Sequence, residues 1–549
     1  MRKVVFKSYN QGQVSLFPAS LDEKIPQGSP VRLINQIVDS LDVSQVLDTY
    51  KGGGTSSYHP CMMLKVVLFA YLNNIYSCRK IENALSDRVS FMWLSGNRVP
   101  DHNTINRFRS TNLKEAIHGI FTQVVLILVE MGYLSVDVVY VDGTKLESRA
   151  NKYTFVWRKP VEKNKSKLEA KIRKVLELVE EGIAQDNLPD DEPPTPLNSE
   201  ELKRRIAELN RENRTKEEQK AIKTLKNKHL PKLQEYENHL NILGNRNSYS
   251  KTDPDATFMR MKDDHMQNGQ LKPAYNIQIA TENQFFTHYD FYPNPTDTLT
   301  YIPFMNGFNG RYGKYPKKNV ADSGYGSEEN YAFMESKNME AFVKYNYFHK
   351  EQKKSFKNNG FLAQNLYYNK EKDYYVCPMG QHLESVGNSS RKSDSGYISH
   401  TLVYEAKNCT CCPLKSPCHS AKGNRRMEVN PKLNRYKEKA RELLTSKEGI
   451  YHRKKRAIEP EAVFGQSKSN KQYNRFRHFG QEMVMMDFAI FAIAFNLLKM
   501  HRKGKNDDQI KHQTTPLAQF YVFILISCRP VIKFGYPLKT SRINCICAA

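Results

Sequence analysis

The sequence lacks the features that mark a secreted or membrane-spanning protein. Its N-terminus, MRKVVFKSYNQGQ, has no apolar stretch of the kind that forms a signal peptide. The longest nearly uncharged apolar stretches, residues 483–498 and 517–528, are shorter than the roughly 20 residues that a membrane-spanning helix needs. We therefore expect a cytoplasmic protein without a membrane partner, in which both stretches are buried in the core.

Acidic residues are few compared with basic ones. The chain has 58 Asp and Glu against 83 Lys and Arg, which gives a formal net charge of +25 and a pI near 9.4. An excess of this size favours a polyanionic partner, with nucleic acid as the first candidate. A basic soluble enzyme without such a partner would have the same composition, so charge alone does not decide.

Cysteine is also sparse, and ten cysteines in a cytoplasmic chain favour free thiols or metal ligands over disulfides. Five of them fall within 42 residues: Cys377, Cys409, Cys411, Cys412 and Cys418. The candidate ligands among these are Cys377, Cys409, Cys412 and Cys418. They would supply four thiolate ligands for a tetrahedral structural Zn²⁺, with His382 and His419 as further candidate ligands. The alternative is a set of reduced thiols in a poorly packed insertion.

A chain of 549 residues is too long for one compact core. We divide it into a helical N-terminal domain that is a candidate for binding DNA ends (1–130), the first part of a catalytic core (131–159), an inserted charged helical hairpin (160–250), the second part of the core (251–354), a cysteine-rich insertion (355–430), the third part of the core with a basic helix (431–505), and a tail (506–549).

Helical periodicity dominates the N-terminal region and the first insertion. Asp101 is placed to cap a short helix that carries Arg107 and Arg109, which either contact phosphate or form an ordinary solvated face. In the insertion, a Pro-rich acidic linker (185–199) separates two charged amphipathic stretches. Ser199 is a candidate cap for the second stretch, and Pro231 should kink or restart its helix.

A β pattern frames the insertions. Residues 136–142 predict a buried strand, 274–292 a hairpin with its turn at 282–284, and 318–322 and 341–345 two further strands. A helix is expected over 328–337, between the last two strands. Strand, hairpin, strand, helix, strand and C-terminal helices together predict an α/β domain with a mixed sheet.

Three acids stand out in this framework. Asp142 and Asp322 end predicted strands, and Glu461 opens a helix just after Pro460. Carboxylates at the ends of neighbouring strands can converge, and Mg²⁺ prefers hard oxygen ligands. Each acid alone fits a turn or a helix cap equally well.

The helix after Pro460 carries a second pattern. Glu461, Lys468 and Arg475 are seven residues apart and would share one helical face, as a metal ligand beside two phosphate contacts. Residues 451–480 hold eight Lys or Arg and two Glu, so their net charge is +6. Basic residues interleaved with aromatics are typical of a nucleic-acid groove, whereas an exposed mixed-charge helix face is the alternative.

These motifs resemble those of a known family. YVDGTK, VADSGYGSEENY and EAVFGQSK resemble, in order, the three acidic motifs of bacterial insertion-sequence transposases of the DDE class. PDHNTINRFR is similar to part of the helical N-terminal domain of one large group of them. The resemblance covers most of residues 30–500. It implies an RNase H-like mixed-sheet catalytic domain with an all-helical N-terminal domain, an inserted helical hairpin and a cysteine-rich insertion.

The resemblance also implies roles. Asp142, Asp322 and Glu461 would hold two Mg²⁺ ions, for which Mn²⁺ would substitute. The third motif of many relatives reads Tyr-x2-Arg-x3-Glu-x6-Lys, in which Lys468 matches the last position, while residues 454 and 457 are Lys and Ala. Arg456 or Arg453 would then take the arginine role, beside Tyr451. Glu459 is a rival to Glu461 as the third ligand.

The implied reaction is cleavage at transposon ends and transfer of the freed 3′-hydroxyl into target DNA. Lys145, Arg149 and Lys152 would hold the DNA backbone, and Trp157 would either stack on an unpaired base or lie in the core. Double-stranded transposon ends and target DNA are the expected partners, a homodimer on paired ends the expected assembly, and the bacterial nucleoid the expected place. The alternatives are a metal-dependent nuclease without joining activity and a catalytically inactive DNA-binding relic.

Overall fold

The computed structural model describes residues 20–51, 56–180, 197–210, 215–261 and 269–511. Most of the acidic linker at 185–199, the apolar stretch at 517–528 and most of the tail lie outside these residues. The chain divides into two compact units after Leu498. Within the described residues the second unit holds only the end of one helix, so the features below belong to the first unit unless stated.

The N-terminal region is helical, as predicted. Its helices are α1 (Pro30–Ser40), α2 (Ser44–Leu47), α3 (Pro60–Leu72), α4 (Cys78–Asp87), α5 (Val89–Ser95), α6 (His102–Arg107) and α7 (Ile117–Glu130). Asp101 caps α6 as predicted, because its Oδ1 accepts the backbone N–H groups of Asn103 and Thr104 at 2.8 and 2.9 Å. Helix α3 is apolar on nearly all sides and lies in the core.

Arg109 is buried, so both roles considered for it, a phosphate contact and a solvated helix face, are wrong. This side chain is 3% exposed, and its Nη1 donates to the Tyr71 hydroxyl at 2.8 Å and to the Tyr76 carbonyl at 3.1 Å. The reason is a π-helical turn, Phe108–Leu113, that follows α6 and changes the helical phase. Arg109 therefore points into the domain and makes no phosphate contact.

The first eight strands include all predicted ones. They are β1 (Val138–Glu147), β2 (Phe155–Trp157), β3 (Ser248–Ser250), β4 (Thr257–Arg260), β5 (Leu271–Glu282), β6 (Phe285–Tyr292), β7 (Lys318–Ala321) and β8 (Glu340–Val343). Asn283 and Gln284, both at positive φ (52° and 64°), form the two-residue turn of the β5–β6 hairpin. The short β2–β3 pair stands apart from the main sheet.

The main sheet is mixed, as predicted. β1 lies between β5, to which it is antiparallel, and β7, to which it is parallel. β8 continues the parallel side next to β7, while β4 and β6 pair antiparallel with β5. The strand predicted to end at Asp142 runs on to Glu147, because β5 pairs with it well beyond the point where the pairing with β7 stops.

The helical insertion contains more helices than the predicted hairpin. Its described helices are α8 (Arg158–Glu180), α9 (Ser199–Leu209), α10 (Lys216–Thr224) and α11 (Leu230–Leu243). They bury a core of their own that includes Ile172, Leu202, Leu225 and Leu233. Asn198, and not Ser199, caps α9 by accepting the Glu201 N–H at 2.7 Å. Pro231 lies in the first turn of α11, which restarts after a π-helical turn.

Four further helices follow: α12 (Tyr301–Tyr312), α13 (Glu328–Ser336), α14 (Lys354–Lys357) and α15 (Lys415–Cys418). α13 confirms the helix expected between the last two strands of the main sheet. The cysteine-rich insertion forms a second, antiparallel sheet of five strands: β9 (Tyr367–Asn369), β10 (Tyr374–Val376), β11 (His382–Lys392), β12 (Ile398–Ala406) and β13 (Arg426–Val429). Its core is small and centres on Leu383, Tyr404 and Met427.

The last helices are α16 (Pro431–Thr445), α17 (Lys447–Ile458), α18 (Pro460–Gly465) and α19 (Gln481–Lys511). α19 is longer than its apolar sequence stretch predicted. Its segment Gln481–Gly504 is long and apolar enough to cross a membrane, but 78% of the most apolar window is buried inside the protein, as in the core helix of a globular domain. Helices α6 and α7 pass the same test when taken together, but they are bent by 80°.

Candidate functional site

The sheet register brings Asp142 and Asp322 to the same level. Tyr140 on β1 pairs with Val320 on the parallel strand β7. Asp142 lies two residues after Tyr140, and Asp322 lies two residues after Val320. Because side chains alternate along a strand, an offset of two returns each side chain to the same face. The two carboxylates therefore leave neighbouring strands side by side, where the β1–β7 pairing ends.

Glu461 reaches the same place from another part of the chain. It lies in the first turn of α18, directly after Pro460. The guanidinium of Arg456 contacts all three acids: its Nη2 lies 3.2 Å from Asp142 Oδ2 and 3.5 Å from Asp322 Oδ2, and its Nη1 lies 2.9 Å from Glu461 Oε1. Acids from three distant segments thus meet around one cation.

The three carboxylates differ in exposure. The side chain of Asp142 is 11% exposed, whereas those of Asp322 and Glu461 are 46% and 53% exposed. Arg456 is itself nearly buried, at 8%. The site is therefore open on the side of Asp322 and Glu461 and closed behind Asp142, so that a substrate would approach from the Asp322 and Glu461 side.

The donor set of this site fits a hard divalent cation. All three groups are carboxylates, and together they already hold a positive charge at their centre. Within the residues that the structure describes, no three His, Cys, Asp or Glu side chains are arranged to hold a metal ion. At this site the Arg456 guanidinium contacts each of the three carboxylates.

Glu459, the rival third ligand, faces elsewhere. It is 1% exposed, its Oε2 accepts the backbone N–H of Gln284 at 2.7 Å, and its Oε1 lies 3.7 Å from Lys455 Nζ. Glu459 therefore anchors the β5–β6 turn. The helix breaks between α17 and α18 at this residue, which separates its direction from that of Glu461.

Sequence reasoning missed one basic residue at the site, Lys344. Burial lowers the pKa of its ammonium group, while the nearby Asp322 carboxylate acts to raise it and the Arg456 and Arg453 guanidinium groups act to lower it. Lys344 follows β8 directly, next to the strand that precedes Asp322. A basic residue at the end of the neighbouring strand was the signal that could have revealed it.

The predicted single stripe of Glu461, Lys468 and Arg475 is wrong. α18 ends at Gly465, a π-helical turn over Gln466–Asn470 carries Lys468, and Arg475 lies in the extended chain beyond it. Arg475 donates to the carbonyls of Ser148 and Arg149 at 3.1 and 3.0 Å. These bonds make Arg475 a structural link to the segment after β1.

The other basic residues predicted to hold DNA are dispersed. Lys145 leaves β1 on the face opposite to Asp142 and donates to the Arg260 carbonyl at 3.1 Å. Arg149 is exposed, with its guanidinium 5.4 Å from the Phe479 ring, and Lys152 lies beside Tyr153. Arg453, in contrast, is on α17 one turn before Arg456, so it lies on the site's side of the helix.

Two protein-family models match the chain. The model described as Transposase DDE domain matches residues 376–501, and the one described as Transposase domain (DUF772) matches residues 19–111. The chain belongs to the DDE-domain transposases. Neither the curated proteins nor the solved structures gave a match.

The two matches cover different parts of the transposase. The N-terminal one spans α1 to α6, and the DDE one spans most of the second sheet and the helices that carry Arg456 and Glu461. A DDE domain implies an RNase H-like fold, a phosphoryl-transfer enzyme, divalent metal ions and DNA binding. Asp142 and Asp322 lie outside both matched ranges, so their link to the site comes from the geometry above.

The four cysteines of the transposase that were predicted to bind zinc line one small pocket of the second sheet. Cys377 precedes the β10–β11 turn, and Cys409, Cys412 and Cys418 come from the β12–β13 connection. His419 also lines the pocket, and both its ring nitrogens are buried without a hydrogen-bond partner. The thiols share a pocket, although they are not arranged as a metal-ligand set.

Two further residues considered in the sequence, His382 and Trp157, pack against neighbouring aromatic rings. His382, the other spare zinc ligand, stacks on Tyr374 with ring centroids 3.9 Å apart and does not line the cysteine pocket. Trp157 on β2 is half-buried and packs against Phe155 and Phe258. This packing favours the core role over the base-stacking role that the sequence left open.

Proposed function

We propose that this transposase cuts double-stranded DNA at the ends of its mobile element and joins the freed 3′-hydroxyl to target DNA. The observation that carries the proposal is the convergence of Asp142, Asp322 and Glu461 around one cation. Acids that act as turn or cap residues have no reason to meet from three distant segments. A shared cation site is what a metal-dependent phosphoryl transferase requires.

In this proposal the three carboxylates hold two Mg²⁺ or Mn²⁺ ions. Such ions activate an attacking oxygen on one side of a phosphate and stabilise the departing oxygen on the other. Binding them requires the Arg456 guanidinium to leave the centre of the three acids. Arg456 would then be free to contact a DNA phosphate beside the site, together with Arg453 and Lys344.

The DNA surface in this proposal surrounds the open side of the acids. Lys468 lies just after α18, and Arg453, Lys344 and Arg456 lie on the elements that flank Asp322. Their charges would hold backbone phosphates, whose contacts fix position without reading sequence. Two element ends must be processed together, so we also propose that the active form is a homodimer on paired ends.

The experiment that tests this function is a strand-transfer assay. Purified protein is supplied with Mg²⁺ or Mn²⁺, a duplex carrying the pre-cut element end, and plasmid target DNA. We expect joined products that require both the divalent ion and the 3′-hydroxyl, and none with a 3′-dideoxy end as the matched control. Cleavage without joining would favour the plain nuclease, and neither activity would favour the inactive DNA-binding relic.

We also propose that the cysteine pocket holds a structural Zn²⁺. The Gln381 N–H donates to Cys377 Sγ at 3.3 Å and the Arg425 N–H donates to Cys409 Sγ at 3.4 Å, so both sulfur atoms accept a backbone hydrogen bond. The Arg425 side chain is buried, donates to Cys418 Sγ at 3.0 Å, and pairs with no carboxylate among the described residues. A buried cation needs a counter-charge, which thiolate ligands would supply.

Zinc content and thermal stability test this second proposal. The wild type should carry about one equivalent of zinc per chain, and a strong chelator should lower its melting temperature. Cys409→Ser should lose the zinc. Cys411→Ser is the matched control, because Cys411 is exposed and does not line the pocket. The proposal would be contradicted if the wild type contained no zinc and its melting temperature did not change when the chelator was added.

A further inference from the structure

The loop between β6 and α12 carries a carboxylate that none of the motifs includes. Asp297 Oδ1 accepts two side-chain amides of β5: Asn276 Nδ2 at 2.9 Å and Gln278 Nε2 at 2.8 Å. Both amide side chains are fully buried, at 1% and 0% exposure. A buried amide needs its hydrogen bonds, so this carboxylate helps to orient both, together with the Asn294 carbonyl, which accepts from Asn276 Nδ2 at 2.9 Å, and Asn276 Oδ1, which accepts from Gln278 Nε2 at 3.0 Å.

The same carboxylate packs against the backbone next to Asp142. Gly143 pairs with Gln278 across the β1–β5 ladder. A Cβ at position 143 would lie 2.4 Å from Gln278 Nε2 and 2.6 Å from Asp297 Oδ1, which is closer than any real contact. A larger side chain at position 143 would therefore displace the Asp297–Gln278 pair, so β1 lies directly against this pair at the residue after Asp142.

The loop also binds the turn that follows Asp322. Gln278 Oε1 accepts the hydroxyl of Tyr325, and Thr298 Oγ1 donates to the Gly324 carbonyl at 2.9 Å. That turn begins at Asp322, whose Oδ1 accepts the Ser323 N–H at 2.7 Å. One network therefore links the backbone at Asp142 to the turn at Asp322.

We propose that Asp297 is a positioning residue, which sets the separation of the Asp142 and Asp322 carboxylates through Gln278, Gly143 and Tyr325. The inference rests on the proposed function, because it assigns the network to the metal-binding acids. Groups that orient ligands without touching the metal typically change metal affinity by about 10- to 100-fold when they are removed. We expect a loss in this range for Asp297→Ala.

Two substitutions of Asp297 separate the effect of its hydrogen bonds from the effect of its negative charge. Both contacts are made by one acceptor oxygen, and the side-chain oxygen of asparagine can accept the same two N–H groups. Asp297→Asn therefore keeps the geometry and removes the charge, whereas Asp297→Ala removes both. If Asp297 positions the acids, the asparagine variant should stay within about twofold of the wild type and the alanine variant should not.

Binding of Mn²⁺ alone tests the inference, read by electron paramagnetic resonance of the free ion in titrations of the full chain. The apparent Kd should rise at least about tenfold in Asp297→Ala and little in Asp297→Asn. Tyr325→Phe is a milder second variant, which should weaken binding while keeping the loop. The matched control is Asp373→Ala, which removes a carboxylate that accepts two tyrosine hydroxyls in the second sheet.

The outcomes are distinct. If Asp297→Ala and Tyr325→Phe bind Mn²⁺ as tightly as the wild type, the positioning role is overturned while the proposed function stands. If Asp297→Asn binds Mn²⁺ as weakly as Asp297→Ala, the charge of Asp297 and not its hydrogen bonds sets the affinity. That result also overturns the positioning role. If the wild type fails to bind Mn²⁺, or Asp142→Asn binds equally well, the proposed function fails and this inference with it.

Discussion

Arg456 Nη2 lies 3.2 Å from Asp142 Oδ2, and the same guanidinium reaches Asp322 and Glu461. A nearly buried cation thus balances three acids of the candidate site. Removing one partner of a buried ion pair leaves an uncompensated charge, which is strongly destabilising. The stability of the site and its affinity for cations are therefore linked through this one arginine.

Replacing Arg456 should make the stability of the protein depend on divalent ions. In Arg456→Gln the three carboxylates repel one another, so we expect a loss of about 2 kcal/mol in the free energy of unfolding, limited by the exposure of Asp322 and Glu461. Millimolar MgCl₂ should restore more stability to this variant than to the wild type. Arg453→Gln is the matched control on the same helix. Equal Mg²⁺ effects in all three proteins, measured by thermal unfolding, would count against the shared cation site.

Asp142→Asn and Asp322→Asn should abolish cleavage while leaving DNA binding intact. Asparagine keeps the shape of each side chain but removes the charge that holds a divalent cation. Cleavage of an end-containing duplex and its gel-shift binding are measured in parallel. Asp394→Asn, an exposed acid of the second sheet, serves as the control. Cleavage retained by either site variant would remove that residue from the proposed metal ligands.

Lys468→Ala and Arg475→Ala should separate a DNA contact from a structural one. Each phosphate contact contributes about 0.9 to the slope of log K against log salt, so Lys468→Ala should flatten that slope by about one. Arg475 bonds backbone carbonyls, so its loss should lower the melting temperature and leave the slope unchanged. Salt titrations of DNA affinity together with thermal melts test both. If Arg475→Ala flattened the slope and Lys468→Ala lowered only the melting temperature, Arg475 would be the DNA contact and Lys468 the structural residue.

Asp487 should be essential for stability. It is 2% exposed and accepts the hydroxyls of Tyr71 and Tyr473, and Tyr71 in turn accepts from buried Arg109. Asp487→Leu leaves this network without its acceptor and without a negative charge, so we expect a loss of about 3–5 kcal/mol. Urea unfolding measures the loss. Asp487→Asn, which keeps an acceptor, should lose less; a leucine variant as stable as the wild type would show that the network contributes little.

His118 should make the fold less stable in mild acid. Burial, reinforced by the nearby Arg311 charge, lowers the pKa of His118 to about 4, and its Nδ1 lies 2.8 Å from the Tyr289 hydroxyl. Because the folded pKa lies below the ordinary histidine value, the unfolded chain binds the proton first as the pH falls. Stability is therefore full above about pH 6.5 and decreases towards pH 4, by about 3 kcal/mol for this group.

The pH dependence of urea unfolding checks this prediction. Between pH 7 and pH 5, His118→Gln should lose less stability than the wild type, because glutamine does not titrate. His400→Gln, which removes an exposed histidine of β12, should behave like the wild type. The prediction is wrong if His118→Gln and the wild type lose equal stability over this range.

Much of the fold could be predicted from the sequence because its signals are local. Alternating apolar residues predicted β5 and β6 and the turn between them, and the two short strands β7 and β8 follow from their own composition. Asp142, Asp322 and Glu461 stood out for the same reason, since each follows or opens a regular element. The prediction that Glu461, Lys468 and Arg475 share one helical face was wrong, because a π-helical turn follows α18 and the helix ends at Asn470. No pattern in the neighbouring residues indicates this change.

What the sequence by itself determined is the helical N-terminal region, the strands β1, β5, β6, β7 and β8, and the three acids, because periodicity, turns and caps depend on neighbouring residues. Only the tertiary structure decided that Arg456 lies among those acids, that Glu459 anchors a turn instead, and that Asp297 reaches the backbone at Gly143. These relationships join segments far apart in the chain. Their distances are set by sheet register and helix packing, which no local pattern encodes.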